Sequence, residues 1–249
     1  MPLVRFHSGM PRANRYYVPG LVWHLTHRCH NQEFLFRFKL DRDRYRRWLY
    51  EARKRYGFCV LNYNITSNHI HLIVFDNGLP NVIENSMQFC QGRHAQEFNN
   101  RRNRHGSFWQ DRYHATAIQT GRHLRRCMTY VDMNMVRNGT VNHPSEWDPC
   151  GYKEIQDPPE RYRLLDLEKA AILLGLDDPG QLAQSQKENI QTALKRPDTW
   201  KPDWSKTIAI GDPDFLKMVA DKLGNRARFK QIQDAEGVTI LHEDPASGQ

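Results

Sequence analysis

The pattern of hydrophobic and polar positions changes its period several times along the first half of the chain. Alternation of the two kinds of side chain indicates a strand, whereas hydrophobic residues three or four positions apart indicate a helix with one buried face. Glycine and asparagine between these stretches mark the turns. The pattern predicts a strand at 20–28, a helix at 41–57 with Asp41 as its N-cap, a hairpin at 58–75, a helix at 83–104 and a strand at 113–118.

This order of strand, helix, strand, strand, helix, strand predicts an α+β fold of the ferredoxin-like type, βαββαβ. Its sheet is expected to be antiparallel, with the helices on one face. One more helix is predicted at 121–137, and it carries a single apolar stripe along one side. The stripe consists of Leu124, Cys127, Met128, Val131 and Met135.

Beyond residue 138 the sequence becomes rich in proline and acidic side chains, with three short helices predicted between residues 167 and 223. It shows no catalytic constellation. The predicted organisation is a basic N-terminal arm at 1–19, a catalytic domain at 20–150 and a mainly helical C-terminal extension at 151–249, whose role the sequence does not assign.

Two histidines flank one apolar residue at the start of the second hairpin strand, in the stretch Asn68-His69-Ile70-His71-Leu72. Because successive side chains of a strand point to opposite faces, His69 and His71 are expected to project together. Neutral imidazole is a common metal ligand, so the pair predicts a metal site. The alternative is a pair of ordinary half-buried histidines, and this stretch alone does not decide between them.

A tyrosine in the helix predicted at 121–137 lies outside the apolar stripe of that helix. On a helical wheel Tyr130 falls with Arg126, Asn134 and Arg137, roughly 125° from the stripe. A tyrosine hydroxyl can attack a phosphodiester whose oxygen is polarised by a metal ion, and an asparagine oxygen can complete a Mg²⁺ or Mn²⁺ shell. The alternative is a tyrosine that partly covers its own helix.

Positive charge is concentrated in the first part of the chain. Residues 1–140 carry 22 Lys and Arg against 9 Asp and Glu, whereas the remainder carries 14 against 19. A basic surface of this kind binds polyanions, and arginine suits phosphates and base edges better than lysine does. A tryptophan among these residues would either stack on an unpaired base or close the edge of the core. The expected DNA contacts are Arg12, Arg15, Arg28, Arg101, Arg102, Arg104, Trp109, Arg112, Arg126 and Arg137.

The sequence contains no apolar stretch long enough to cross a membrane, and it begins without the apolar segment of a signal peptide. The five cysteines are widely spaced and odd in number, which argues against a disulfide framework and against a structural zinc site. We therefore expect a soluble intracellular protein with reduced cysteines and no membrane partner.

Three blocks of sequence are specific only in combination. They are Trp23-His24-Leu25-Thr26-His27-Arg28, Asn68-His69-Ile70-His71-Leu72-Ile73 and Tyr130-Val131-Asp132-Met133-Asn134-Met135-Val136-Arg137. In this combination the chain resembles the HUH-type single-tyrosine transposases, and most closely the REP-associated tyrosine transposases of bacteria. The stretch Gly106-Ser107-Phe108-Trp109-Gln110-Asp111-Arg112 is similar to the tryptophan-containing loop of that family. The resemblance extends from about residue 15 to about residue 150.

The resemblance implies a metal-dependent single-stranded DNA endonuclease and strand transferase that acts at hairpin-bearing repetitive elements. Tyr130 would be the nucleophile and would form a 5′-phosphotyrosine. His69 and His71 would bind Mg²⁺ or Mn²⁺, and Asn134 stands at the position of the third ligand. The expected partner is single-stranded or hairpin DNA, with a homodimer as an open alternative to a monomer, in the cytoplasm and nucleoid of a bacterium.

The sequence departs from the family at two positions. Met135 stands where proline usually follows the asparagine, and Cys29 stands where glycine often follows the arginine of the first block. Neither change removes a reacting group. Two alternatives share most of these features: a domesticated DNA-hairpin-binding protein that no longer cuts, and another HUH nickase such as a replication initiator. The two-histidine phosphoesterases fit less well, because they need threonine or serine where this chain has His71.

Overall fold

The structure is a computed structural model, and it describes residues 17–195, 207–224, 229–233 and 239–243. Within these ranges the chain forms one sheet and a set of helices. The strands are β1 (Val22–Arg28), β2 (Cys59–Ile65), β3 (His69–Phe75), β4 (His114–Ile118), β5 (Thr207–Ile210), β6 (Phe229–Gln233) and β7 (Thr239–Glu243). The α-helices are α1 (Lys39–Tyr56), α2 (Val82–Arg102), α3 (Arg122–Asp132), α4 (Asn134–Arg137), α5 (Gly151–Gln156), α6 (Leu167–Leu174), α7 (Pro179–Lys195) and α8 (Pro213–Leu223).

The sheet has the strand order β2-β3-β1-β4-β5-β7-β6. Each neighbouring pair among its first four strands is antiparallel, and with α1 and α2 these strands form the predicted ferredoxin-like βαββαβ unit. In the register of this unit Thr26 of β1 lies between His71 of β3 and His114 of β4. The α+β class predicted from the hydrophobic pattern is thus confirmed.

The two faces of this sheet have different coverings. Alternate residues of β1 face α1 and α2, and His27 stacks there on Trp109 with ring centroids 4.1 Å apart. The other set of β1 side chains, which includes His24, faces the opposite helix α3. Buried hydrophobic side chains fill both layers, so the strands of the unit are almost completely enclosed. Polar side chains in the middle of the α3 face, such as His24 and His71, are therefore shielded from water.

The C-terminal part of the chain extends the sheet, which the sequence analysis did not predict. Strand β5 pairs in parallel with β4 through Ala117–Ala209 and Ile118–Ile210, and β7 and β6 follow it. The three predicted helices are present as α6, α7 and α8. Core side chains from both sides of residue 150 belong to one hydrophobic cluster. The extension therefore packs as part of the same core.

Two local predictions need correction. Helix α1 begins at Lys39 with Phe38 as N-cap, so Asp41 is not the cap. Its carboxylate is buried inside the first turn and accepts hydrogen bonds from arginines of α2, because an ionised group in the core needs a charged partner. The helix predicted at 121–137 is divided at Met133 into α3 and α4.

All five cysteines are buried free thiols, as predicted. No helix among the described ranges combines the length and the hydrophobicity that crossing a membrane requires.

Candidate active site

Side chains from β3, α3 and α4 meet on the α3 face of the sheet. The ring of Tyr130 in α3 lies 6.0 Å from the ring of His71, measured between centroids. Asn134, the first residue of α4, places its Nδ2 atom 3.1 Å from Nε2 of the same histidine. His69 and His71 project to this face together, as their spacing predicts, with ring centroids 4.8 Å apart. The structure thus brings the four predicted reacting residues into one site of a single chain.

The neighbours of His69 determine which of its ring nitrogens carries a proton. Nδ1 lies 2.7 Å from the amide oxygen of Asn68 and 2.9 Å from the hydroxyl of Thr66. Because the amide oxygen can only accept, Nδ1 donates and Nε2 keeps its lone pair. Burial, with a smaller contribution from the positive charge of Arg28, lowers the pKa of His69 to about 4. His69 is therefore a neutral imidazole near pH 7 with one nitrogen able to bind a cation.

His71 is held from both sides. Its Nδ1 lies 2.9 Å from Nε2 of His24 on β1, and its Nε2 faces the amide of Asn134. Since the amide nitrogen donates to Nε2, Nδ1 of His71 carries the proton and donates to His24. Burial, followed by the proximity of His69 and His24, lowers the pKa of His71 well below its usual value. Burial likewise lowers the pKa of His24 to about 3, so this pair stays neutral.

Tyr130 is half-buried beside these histidines, and a cation lies against it. The guanidinium carbon of Arg137 lies 3.9 Å from the centroid of the Tyr130 ring. The same side chain donates a hydrogen bond of 2.6 Å to the carbonyl oxygen of Tyr130. A cation over an aromatic face is attracted by the electron density of the ring. The contact brings positive charge to the tyrosine and links α4 to the last turn of α3.

Two asparagines on β2 fix the position of α3 on the sheet. Asn64 donates a 2.9 Å hydrogen bond to the carbonyl oxygen of Val131, and Asn62 donates a 3.0 Å bond to the carboxylate of Asp132. The second oxygen of Asp132 accepts a hydrogen bond from Gln186 of α7. The sequence analysis predicted a hairpin here and assigned no role to these asparagines. Their alternation with apolar residues was the available signal, but it does not name a partner.

The donor set of His69, His71 and Asn134 fits a divalent cation. Rotation of the Asn134 amide exchanges Oδ1 and Nδ2, so the 3.1 Å separation from Nε2 of His71 is also that of an oxygen donor. Adjacent ligands of an octahedral Mg²⁺ or Mn²⁺ shell are about 3 Å apart, which agrees with this spacing. Within the described ranges no three His, Cys, Asp or Glu side chains form a metal cluster. A three-residue set at this site therefore depends on the asparagine.

The arginines predicted to contact DNA fall into different environments. Arg28 is exposed at the end of β1, beside His69. Arg101 and Arg102 pair with the buried Asp41, and Arg104 lies 3.6 Å from a carboxylate oxygen of Glu33. The side chains of Arg101, Arg102 and Arg104 thus form ion pairs within the protein, which hold α1, α2 and the segment that contains Glu33 together.

Five other predicted contacts remain. Arg112 is exposed and Arg126 is half-buried, while Arg12 and Arg15 lie outside the described residues. The ring of Trp109 packs on His27, and its indole N–H donates to the carbonyl oxygen of Gln91 at 3.2 Å. This packing favours the alternative in which the tryptophan closes the edge of the core.

Comparison with known proteins gives a match to one family and to several solved structures, two of which are described below. Residues 17–134 match the family described as transposase IS200 like. A structure of a REP-associated tyrosine transposase bound to a REP hairpin is 19% identical with a TM-score of 0.46, over 58% of this chain and 84% of that one. A protein of Deinococcus radiodurans R1 assigned as a transposase is 15% identical with a TM-score of 0.35, over 52% and 98%. The search of curated proteins gives no match.

Proposed function

We propose that this chain, whose residues 17–134 match the family described as transposase IS200 like, is a transposase that cuts and rejoins single-stranded DNA through Tyr130. One observation carries the proposal: Tyr130, His71 and Asn134 lie together in one chain, with the tyrosine ring 6.0 Å from the histidine ring. A nucleophile, two neutral imidazoles and an amide oxygen donor are the groups that a metal-assisted attack on a phosphodiester requires.

In the proposed reaction the hydroxyl oxygen of Tyr130 attacks the phosphorus of the scissile phosphodiester. A bond forms between this oxygen and phosphorus, and the bond from phosphorus to the 3′ oxygen of the preceding nucleotide breaks. The tyrosine gives its proton to solvent, and the 3′ oxygen takes one up. The products are a 5′-phosphotyrosine and a free 3′-hydroxyl, and attack by a 3′-hydroxyl on the phosphotyrosine reverses the step without ATP.

The residues around Tyr130 have separate parts in this reaction. His69, His71 and Asn134 would hold a divalent ion, which supplies positive charge to a non-bridging phosphate oxygen when it is bound. Arg137 lies over the Tyr130 ring and provides a fixed positive charge against the face of that ring. The burial of the two histidines keeps them neutral, which is the state that binds a cation.

We further propose that the substrate carries a hairpin next to the single strand that is cut. The concentration of arginine in residues 1–140 provides a basic surface for such a polyanion. Duplex and single strand both present phosphates to this surface, and the half-buried Tyr130 faces the polar site where an unpaired strand could enter.

Formation of a covalent adduct tests the proposal directly. The protein is incubated with Mn²⁺ and a pool of single-stranded DNAs that carry a constant hairpin and random flanks, and is then denatured. We expect a DNA adduct that resists denaturation in the wild type and in Tyr162→Phe, a control at a tyrosine that is 75% exposed in the C-terminal extension. Tyr130→Phe should form none. An equal amount of adduct with Tyr130→Phe, or none with the wild type, would contradict the proposal.

A further inference from the structure

A cavity of about 430 Å³ opens directly beside His69. It lies between the end of β1, the turn that joins β2 to β3, and the residues that follow α4. Binding pockets for small ligands have volumes of roughly 300–1,000 Å³, so this cavity accommodates one nucleotide more readily than several. Its walls include Arg28, Gln32, Phe34, Asn68, His69 and Asn138.

An exposed aromatic ring forms part of the cavity wall. Phe34 is 66% exposed, so much of its ring is open to a ligand in the cavity. The loop that carries it is fastened on both sides to the turn between β2 and β3. Cys29 N–H donates to Asn68 O at 2.8 Å, and Phe36 N–H donates to Ser67 O at 2.9 Å. The phenylalanine is therefore presented at a defined place relative to His69.

The same loop contains two consecutive residues with a left-handed backbone. Asn31 and Gln32 have φ angles of 50° and 58°, a conformation that asparagine tolerates but that is uncommon for glutamine. Such conformations persist where surrounding contacts enforce them, and they are concentrated at functional sites. Here a hydrogen bond of 3.2 Å from the Asn68 amide to the carbonyl oxygen of Gln32 holds the segment. The strained segment thus forms one wall of the cavity.

Polar groups connect the cavity to the proposed metal ligands. Asn68 contacts Nδ1 of His69, and Asn138 donates a 3.3 Å hydrogen bond to Oδ1 of Asn134. Arg28 adds a positive charge, which is close enough to His69 to oppose its protonation. The cavity therefore combines an aromatic face, amide groups and a cation, next to the place where the scissile phosphate would lie.

We propose that this cavity binds the base of the nucleotide adjoining the scissile phosphate. Phe34 stacks on the base, the amides of Gln32 and Asn138 contact its edge, and Arg28 contacts a backbone phosphate. A purely apolar ligand would leave the amides and the guanidinium without partners, and a free phosphate ion would leave the aromatic face unused. The proposal rests on the proposed function, because that function places the scissile phosphate beside His69.

The test measures binding of DNA that cannot be cut. Tyr130→Phe protein is used to select a tight-binding hairpin-bearing single strand from the random pool described above. Each nucleotide of the single-stranded flank is then replaced in turn by an abasic unit, and the Kd is measured. We expect one position at which loss of the base weakens binding by roughly 5- to 100-fold, the effect of one stacked base.

Two variants in the Tyr130→Phe background identify the ring involved. With Phe34→Ala the penalty at that position should disappear, because no stacking remains to be lost. Phe38→Ala removes an equally aromatic, 50% exposed side chain four residues away that does not line the cavity, and it should leave the penalty unchanged. A flat profile across all positions, or a penalty that survives Phe34→Ala, would overturn the proposal.

Cutting by the chain with an intact Tyr130 then locates the base. The phosphate that becomes attached to protein should adjoin the sensitive nucleotide, and attachment elsewhere would overturn the assignment. Failure of the two proposals can be told apart. If an adduct forms but the binding profile is flat, the base-binding role of the cavity is refuted and the proposed reaction stands. If the binding profile depends on Phe34 but no adduct forms, the cavity binds a base and the proposed reaction is refuted.

Discussion

Nε2 of His24 lies 2.9 Å from Nδ1 of His71, across the pairing of β1 with β3. The two rings are nearly parallel, at 5° to one another, with centroids 5.1 Å apart. This hydrogen bond fixes the orientation of the His71 ring and directs its other nitrogen toward Asn134. A histidine that binds a metal commonly donates its second N–H to such a neighbour, which sets the tautomer. His24 thus acts on the site through His71.

The first prediction concerns this histidine pair. His24→Phe keeps an aromatic ring in the buried position but removes the acceptor for His71. We expect the affinity for Mn²⁺ to fall about 10- to 100-fold, because the imidazole of His71 loses its fixed tautomer and orientation. Calorimetric titration with Mn²⁺ measures this, and excess metal should restore much of the adduct. His105→Phe, at an exposed histidine, is the control. Equal affinities in both variants would refute the role of His24.

The second prediction concerns the choice of metal. Two imidazole nitrogens and one amide oxygen are softer than the all-oxygen shell that Mg²⁺ prefers, so adduct formation should need less Mn²⁺ than Mg²⁺. A chelator should abolish the adduct, and Asn134→Ala should raise the concentration of either ion that is required. The measurement is the rate of adduct formation at a series of metal concentrations. Full activity in excess chelator would count against metal dependence.

The sequence predicted the class of fold and the grouping of the site because both depend on local patterns. Strand alternation placed His69 and His71 on one face, and helical spacing separated Tyr130 from the apolar stripe. The role of His24 could not be predicted in this way. It depends on the register between two strands that are more than forty residues apart. The sequence of a single strand does not specify which side chain lies next to it on the neighbouring strand.

Longer-range pairing also explains what the sequence analysis missed. Strand β5 has only four residues and pairs with β4 across about ninety residues of chain, so no periodic signal indicates it. Asp41 has the residue type of an N-cap, but packing of α1 against α2 gives its carboxylate two arginine partners. The same contact uses the guanidinium groups of Arg101 and Arg102, which the sequence analysis assigned to DNA.

The third prediction concerns the link between the C-terminal extension and the tyrosine helix. Gln186 of α7 donates to the buried carboxylate of Asp132, two residues after Tyr130. Gln186→Ala leaves that oxygen without its donor and should lower the free energy of unfolding by about 1–3 kcal/mol. Denaturant unfolding measures the loss, and the rate of adduct formation should fall in parallel because α3 is held less firmly.

A matched control is available on the same helix. Gln184 is exposed and, among the described residues, its side chain bonds to Glu188 one turn away, so Gln184→Ala should change the stability by no more than about 0.5 kcal/mol. If the two variants were equally stable, the contact between α7 and Asp132 would have no part in positioning α3.

The fourth prediction concerns acid stability. His94 is buried among Phe36, Tyr45, Phe98 and other aromatic rings, and neither ring nitrogen has a hydrogen-bond partner within the described ranges. Burial, with smaller contributions from Arg101 and Arg44, lowers its pKa to about 3. The folded state therefore keeps His94 neutral. The contribution of neutral His94 to the stability of the fold is complete above the unfolded pKa of about 6.5. This contribution is lost as the pH falls toward 3, because the unfolded state then takes up a proton that the folded state does not.

His94→Phe should weaken this acid sensitivity, because the replacement ring has no group to protonate and fits the aromatic surroundings. The free energy of unfolding should then fall less steeply between pH 6 and pH 4 than it does in the wild type. The two slopes should differ by up to about 1.4 kcal/mol for each pH unit. Urea unfolding at a series of pH values measures the slope. The exposed His105→Phe should keep the wild-type slope, and a parallel slope for His94→Phe would exclude His94 as a source of acid sensitivity.

The fifth prediction concerns Arg137, which stacks on Tyr130 and bonds to its carbonyl oxygen. Arg137→Met keeps most of the side-chain volume but removes the charge, so the rate of adduct formation at saturating DNA and metal should fall about tenfold or more, in line with a cation–π contact of roughly 1–2 kcal/mol. Arg137→Lys should recover part of the rate. Arg122→Met, at an exposed position in the first turn of α3, separates this local effect from a general loss of positive charge. If both Met variants slowed the reaction equally, the loss would come from reduced overall positive charge and not from the contact with the tyrosine.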